Sequence, residues 1–204
     1  MKGISSFVPN MRPEHKLSDR VRWDNRYAQL KPSERPAISP LLAAWLPQLP
    51  DQGYGLDIAA GAGRHSLALA RHGLRVDALD ISLVGLRLLQ AQLEPDLPIC
   101  PLVLDLSQGW LPERGYQVIV NFFFLERRIW PAMIERLAPG GWLIFETYTV
   151  AQLLQPGRRV HRREFLLEAG ELRTAFQALQ ISHYQEIVRD GRATAQLVAR
   201  KPGF

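Results

Sequence analysis

Residues 53–82 constrain the chain most. An apolar run at 56–60 breaks into Gly61 and Gly63, a helical stretch continues to His72, and a second apolar run at 74–79 ends on Asp80. The order is strand, glycine turn, helix, strand, acid. Glycines at that break suit a tight turn in which the backbone comes close to a ligand, and the helix behind them presents unpaired N–H groups to negative charge. Asp80, closing the second strand, is placed to accept hydrogen bonds from ribose hydroxyls. The unit is built to hold a nucleoside.

Gly61-x-Gly63-x-x-Ser66 half-matches the dinucleotide fingerprint, with serine where a third glycine or alanine belongs. Asp57 argues for a different ligand, because a carboxylate at the end of the first strand repels a pyrophosphate and suits the ammonium of an amino acid. The run Asp57-Ile58-Ala59-Ala60-Gly61-Ala62-Gly63 resembles the first motif of the class I S-adenosylmethionine-dependent methyltransferases, an acid followed by alternating glycines. Ala59 stands in place of the usual first glycine and narrows the room beside the cofactor. The resemblance covers about residues 20–200 and implies S-adenosyl-L-methionine as cofactor. Its contacts would be Asp57, Ala59, Gly61, Gly63, Asp80 and Ile81, with Asp105 and Leu106 at the adenine, Asn121 beside the cofactor, and Trp23 and Arg26 on a capping segment.

A chain of 204 residues with 47% hydrophobic content is long enough for one well-packed domain. The expected division is an arm with cap helices at 1–48 and a methyltransferase domain at 49–204. The 25 basic residues are scattered and offset by 20 acids, so the net charge of +5 gives a mild attraction for anions. The single Cys100 excludes an intramolecular disulfide and fits a reducing cytosol. No run approaches the roughly 20 apolar residues of a spanning helix, so no membrane association and a cytoplasmic location are expected. Five dispersed histidines without a ligand pattern predict no metal site.

In chain order, 1–19 read as a loose arm and 20–28 as a helix carrying Trp23 and Tyr27 on one face. The Trp23-Asp24-x-Arg26-Tyr27 pattern resembles the N-terminal segment that caps the cofactor in many of these enzymes. A linker at 32–36 precedes a helix at 40–46, and Ser82 can cap a helix running to about Leu93. A strand at 99–104 ends at Asp105-Leu106. The apolar run at 116–124 predicts a central parallel strand buried on both faces, with Asn121 and Phe122 at its carboxyl end. A helix through 134–137, a turn at Pro139-Gly140-Gly141, a strand at 142–148, a basic loop at 151–163 and a helix at 168–179 follow. Runs at 180–189 and 192–200, joined by Asp190-Gly191, predict a terminal hairpin. The fold class is α/β: a Rossmann-like, mostly parallel seven-stranded sheet with the last strand inserted antiparallel and helices on both faces. Residues 162–172, with the helix and the His-Tyr-Gln-Glu strand after them, resemble the tellurite-resistance-type small-molecule methyltransferases, which leaves the acceptor open.

Methyl transfer from a sulfonium is an in-line displacement. Positioning alone can supply about 7–11 kcal/mol of it, so no nucleophilic triad is required. The absence of a Gly-x-Ser-x-Gly elbow and of a Walker lysine argues against hydrolysis and phosphoryl transfer. A small-molecule acceptor is expected over strands four and five, against Asn121, Phe122, Glu146, Thr147 and Tyr148. Glu146 or Tyr148 could take its proton, or Glu146 could simply pair an arginine. The arginines of 158–163 could draw in an anionic acceptor or close over one, or simply form a solvated loop whose charges aid solubility. A nucleic-acid acceptor is disfavoured by the lack of an Asn-Pro-Pro-Tyr motif, although a tRNA enzyme stays open. A nicotinamide-dependent oxidoreductase is disfavoured by Asp57 and the hairpin. A non-catalytic cofactor-binding module is left open by Ala59.

Overall fold

The computed structural model describes residues 13–31, 36–155 and 162–203, with side chains from Asp19 onward. Seven strands form one sheet: β1 (Tyr54–Ile58), β2 (Arg75–Asp80), β3 (Ile99–Val103), β4 (Tyr116–Phe122), β5 (Leu137–Tyr148), β6 (Gln180–Arg189) and β7 (Arg192–Arg200). Their order is β3-β2-β1-β4-β5-β7-β6. Neighbouring strands from β3 to β5 pair in parallel, and β7 pairs antiparallel with both β5 and β6. The expected inserted reversed strand is therefore present. The turn before it has both central residues in the left-handed region, Asp190 at φ 51° and Gly191 at φ 67°, as a two-residue hairpin requires.

The central strands alternate between two cores. Val118 and Val120 of β4 pack with Leu69, Val76 and Ile144 on one face, whereas Ile119 joins Leu56, Ile58, Leu143 and Phe145 on the other. Helices α2 (Pro40–Trp45), α3 (Arg64–His72) and α4 (Leu83–Gln90) cover the first face through Leu41, Leu42, Leu69, Leu86 and Leu89. Helices α5 (Trp130–Arg136) and α6 (Glu171–Ala175) cover the second through Trp130, Met133 and Leu172. A further helix, α1 (Pro13–Ala28), reaches α4 at the carboxyl edge of the sheet.

Several boundaries differ from the sequence expectation. Within the described residues helix α1 covers Pro13–Ala28, so 13–19 are helical instead of part of a loose arm. Helix α5 begins earlier than expected and stops at Arg136. Pro139-Gly140-Gly141 lies inside β5, not before it. Gly140 adopts φ +74°, the pairing with β4 shifts register there, and a Cβ on Gly141 would sit 2.7 Å from the Tyr116 carbonyl oxygen. Lys201 holds this corner: its Nζ donates to the carbonyls of Ile134, Glu135 and Leu137 at the end of α5. Helix α6 is much shorter than 168–179 because the left-handed Gly170 precedes it and Phe176 leaves helical geometry to enter the core. Of the basic loop, residues 156–161 lie outside the described residues, including Arg158, Arg159 and His161. Short 3₁₀ turns at Val150–Leu154 and Arg163–Phe165 flank them.

Among the described residues no helix is long and apolar enough to cross a membrane, and no cluster of three metal-ligating side chains occurs.

Candidate active site at the carboxyl ends of the strands

The loop after β1 turns three times through the left-handed region, at Ala59 (φ 56°), Gly61 (φ 57°) and Gly63 (φ 79°). Ala59 carries a Cβ there, which costs about 1–2 kcal/mol relative to a right-handed residue. The loop is tied to β2 by Ala60 N–H donating to Leu79 O at 2.8 Å. A Cβ on Gly63 would overlap Leu89 of α4, so that glycine also serves the packing of α3 on α4. A Cβ on Gly61 would instead overlap the hydroxyl of Tyr27.

Two acids flank the loop. Asp57 is 1% exposed; its Oδ2 accepts from Ser66 Oγ at 2.6 Å and its Oδ1 has no partner. Burial pushes its carboxyl up to about 7 against the opposing pull of Ser66 and Arg64. Asp80 accepts from Gly61 N–H at 2.8 Å and Ser82 N–H at 2.7 Å, one bond on each oxygen, and burial pushes it up to about 6. Each of those oxygens keeps a second lone pair for a ribose hydroxyl. Ile81 lies half-buried between Asp80 and Ser82. Asp105, following β3, holds a 3₁₀ turn at Leu106–Gln108 by accepting from Ser107 N–H and Oγ, and Leu106 sits in the core beneath it. Asn121, at the end of β4 and in register with Ile58, is fully buried, with both side-chain polar atoms unpartnered.

Helix α1 closes over this loop. Asp24 Oδ1 accepts from Ser82 Oγ at 2.6 Å and from Val84 N–H at 3.2 Å, capping α4 from another element. Tyr27 packs on Gly61 and Gly85, and burial together with the charge of Asp80 drives its hydroxyl pKa upward. Trp23 stacks on Tyr27 at 5.9 Å, with Arg26 over its ring at 5.1 Å. Of this segment it is therefore Tyr27 that meets the glycine loop, while Arg26 is exposed, with its guanidinium over the Trp23 ring. The four-residue spacing to Trp23 was the signal in the sequence.

On the acceptor side, Glu146 is 7% exposed and has its oxygens engaged. Oε2 accepts from Ser39 Oγ at 2.8 Å, and Oε1 from Gln196 Nε2 at 3.0 Å and Thr194 Oγ1 at 3.3 Å. Its hydrogen-bond partners are thus neutral donors. Ser39 also caps α2 through Leu41 N–H and donates its own N–H to His65 Nε2 at 3.2 Å. Burial pulls His65 down to about 3, so it accepts that bond as a neutral ring. Thr147 is buried, and Tyr148 is half-buried against Phe123, ring centroids 5.2 Å apart. Phe123 follows β4 at φ 60° and donates its N–H to Glu146 O at 2.7 Å. Beside these groups opens a cavity of about 670 Å³, lined among others by Ser39, Trp45, Arg64, Phe123, Glu146 and Thr194. Ser39, Phe123 and Arg64 are residues of this region that sequence reasoning did not single out.

A parallel sheet whose carboxyl edge carries a left-handed glycine loop between two buried acids, with a reversed strand inserted at the far side, defines an α/β protein of the S-adenosylmethionine-binding class. The chain belongs to the methyltransferase-domain family, whose profile, described as "Methyltransferase domain", matches residues 28–186. It is an S-adenosylmethionine-dependent methyltransferase with S-adenosyl-L-methionine as cofactor. Among solved structures it is similar to TehB from Haemophilus influenzae (22% identity, 72% of this chain and 57% of TehB covered, TM-score 0.61). It is also similar to the N-methyltransferase NodS from Bradyrhizobium japonicum WM9 (18% identity, 90% and 99% covered, TM-score 0.61). DhpI, solved as a complex with SAM and HEP, is a third (18% identity, 96% and 100% covered, TM-score 0.62). At these identities the likeness is one of fold, and the chain spans little more than half of TehB. No curated protein matches it.

The residues present fit the cofactor. The orphaned Asp57 Oδ1 and the unpartnered Asn121 amide are buried polar groups of the kind a bound polar ligand satisfies.

Proposed function

We propose that the chain methylates a small-molecule acceptor seated over β4 and β5. The observation that carries this reading is the cavity of about 670 Å³ beside the glycine loop, walled by Phe123 and Glu146. Its volume falls within the roughly 300–1,000 Å³ range of small-molecule sites. Asp57 Oδ1 would take the ammonium of the cofactor, Asp80 the ribose hydroxyls and Asp105 the adenine amino group. When bound, S-adenosylmethionine supplies a methyl group on a sulfonium, already electrophilic. The protein's part is to hold the acceptor atom in line and keep water out. Tyr27 and Trp23 cover the loop for that purpose. Glu146, which lines the cavity and carries three donors on its oxygens, would orient the cavity wall, and it and Tyr148 are the two candidates for receiving the acceptor's proton.

Calorimetry with S-adenosylmethionine on Asp80→Ala, checked for folding by circular dichroism, tests the cofactor half. Each charge-assisted bond lost is worth about 1.5–3 kcal/mol, so affinity should fall at least about tenfold. Near-normal binding by the folded variant would remove Asp80 from the site. A screen with methyl-labelled cofactor over thiols, oxyanions, small amines and tRNA tests the acceptor half. Label entering tRNA alone would overturn the small-molecule reading.

A further inference from the structure

The cavity wall gathers positive charge around one aromatic ring. Arg64, at the start of α3, and Arg192, at the start of β7, lie 128 positions apart in the chain but lie against the same ring: their guanidinium carbons are 6.0 Å and 5.9 Å from the centroid of Phe123. Both line the cavity. Among the described residues neither has a carboxylate within ion-pair distance. Arg64 spends one donor on the Ala37 carbonyl at 2.8 Å, and the acid nearest in the wall, Glu146, is engaged by Ser39, Thr194 and Gln196. Arg189 and Asp190 also line the cavity. His183 Nε2, also on this wall, is shielded from solvent and unpartnered. Each guanidinium is attracted to the face of the ring, and the repulsion between the two is relieved by an anion placed between them. The backbone strain at Phe123, left-handed at φ 60°, is of the kind that gathers at ligand clamps. The wall also carries an apolar stretch, Ile38, Leu41, Ala44, Trp45 and Ile187, beside the neutral polar Gln185, Thr194 and Gln196.

We infer that the methyl acceptor is a small organic acid, its oxyanion group held by Arg64 and Arg192 at Phe123 and its apolar body laid against Trp45 and Ile38. The inference rests on the methyltransferase reading above and adds the class of acceptor. A bare inorganic oxyanion would leave the apolar wall uncovered. The planar guanidinium fork suits carboxylate and phosphate alike, so both are named as the anionic group.

The test is calorimetry on the S-adenosylhomocysteine-loaded protein with 3-phenylpropionate, phenyl phosphate and the uncharged 3-phenylpropanamide. The two acids separate carboxylate from phosphate. Wild-type protein should bind at least one acid about tenfold more tightly than the amide, the size of one charge-assisted bond. Arg192→Gln, a change at an exposed strand end, should abolish that preference, and Arg192→Lys should restore part of it. Cofactor affinity should be unchanged in both variants. Equal binding of acids and amide, no binding of any probe, or an intact preference in Arg192→Gln would each overturn the inference. Loss of cofactor binding in wild-type protein would instead strike the methyltransferase reading, so the two failures are distinguishable.

Discussion

Asp57 carries the tension between folding and binding at the level of a single side chain. Its carboxyl is buried with one oxygen unpartnered, and burial raises its pKa from 3.8 to about 7. The raised value sets the sign: the neutral form belongs to the folded, cofactor-free protein. The contribution is fully present below the unfolded pKa near 4 and is lost as pH rises through about 7. Asp80, raised to about 6, acts in the same direction. Asp57→Asn removes one of these two titrations. Between pH 5 and 8, cofactor-free wild-type protein should lose about 2 kcal/mol of stability relative to Asp57→Asn, read from urea midpoints at the two pH values. A constant gap between the two proteins would mean that Asp57 titrates at its ordinary value. Asp57, Gly61 and Asp80 were legible in the sequence because motif and geometry are local there, with two strand ends and one turn inside thirty residues. Glu146 was legible only as a position. Its partner Ser39 stands 107 residues away and Thr194 stands 48 away, and no local pattern announces either.

At the level of elements, local turn chemistry separates what the sequence discloses from what it hides. The Asp190-Gly191 hairpin matched its expected ends because two residues set its geometry. Helix α6 came out short and the Pro139-Gly140-Gly141 step fell inside β5, since tertiary contacts decide both: Phe176 is drawn into the core, and Gly141 is pressed against Tyr116. The same holds for α1, whose place over the glycine loop depends on Asp24 reaching Ser82 and Val84, about sixty positions on. Removing a cap of this kind costs about 1 kcal/mol, which enlarges the detached population of α1 about fivefold. Asp24→Ala should therefore be cut by trypsin after Arg22 and Arg26 about fivefold faster than wild type, with mass spectrometry locating the sites. Unchanged cleavage would assign the docking of α1 to Tyr27 and Trp23 alone.

Across the whole molecule, stability is expected to decline from the centre of the sheet outward. Strands β1 and β4 are paired on both sides and buried on both faces, whereas β3 and β6 are edges, with Val103 48% exposed. Amides of β1 and β4 should exchange with solvent only through global unfolding. The outward-facing amides of β3 and β6 should exchange through local opening, faster by orders of magnitude. Hydrogen exchange followed by mass spectrometry reads this directly, and equal protection of β3 and β4 would contradict the ranking.

The place of β7 between β5 and β6 also sets an order for synthesis. The ribosome delivers β6 before the strand that must join it to the sheet. At about 5–20 residues per second, the interval from Gln180 to Arg200 lasts roughly one to four seconds. Once they leave the ribosome and until β7 follows, the free edge of β5 and the whole of β6 would present unpaired hydrogen-bonding backbone, a window in which a nascent-chain chaperone has something to hold.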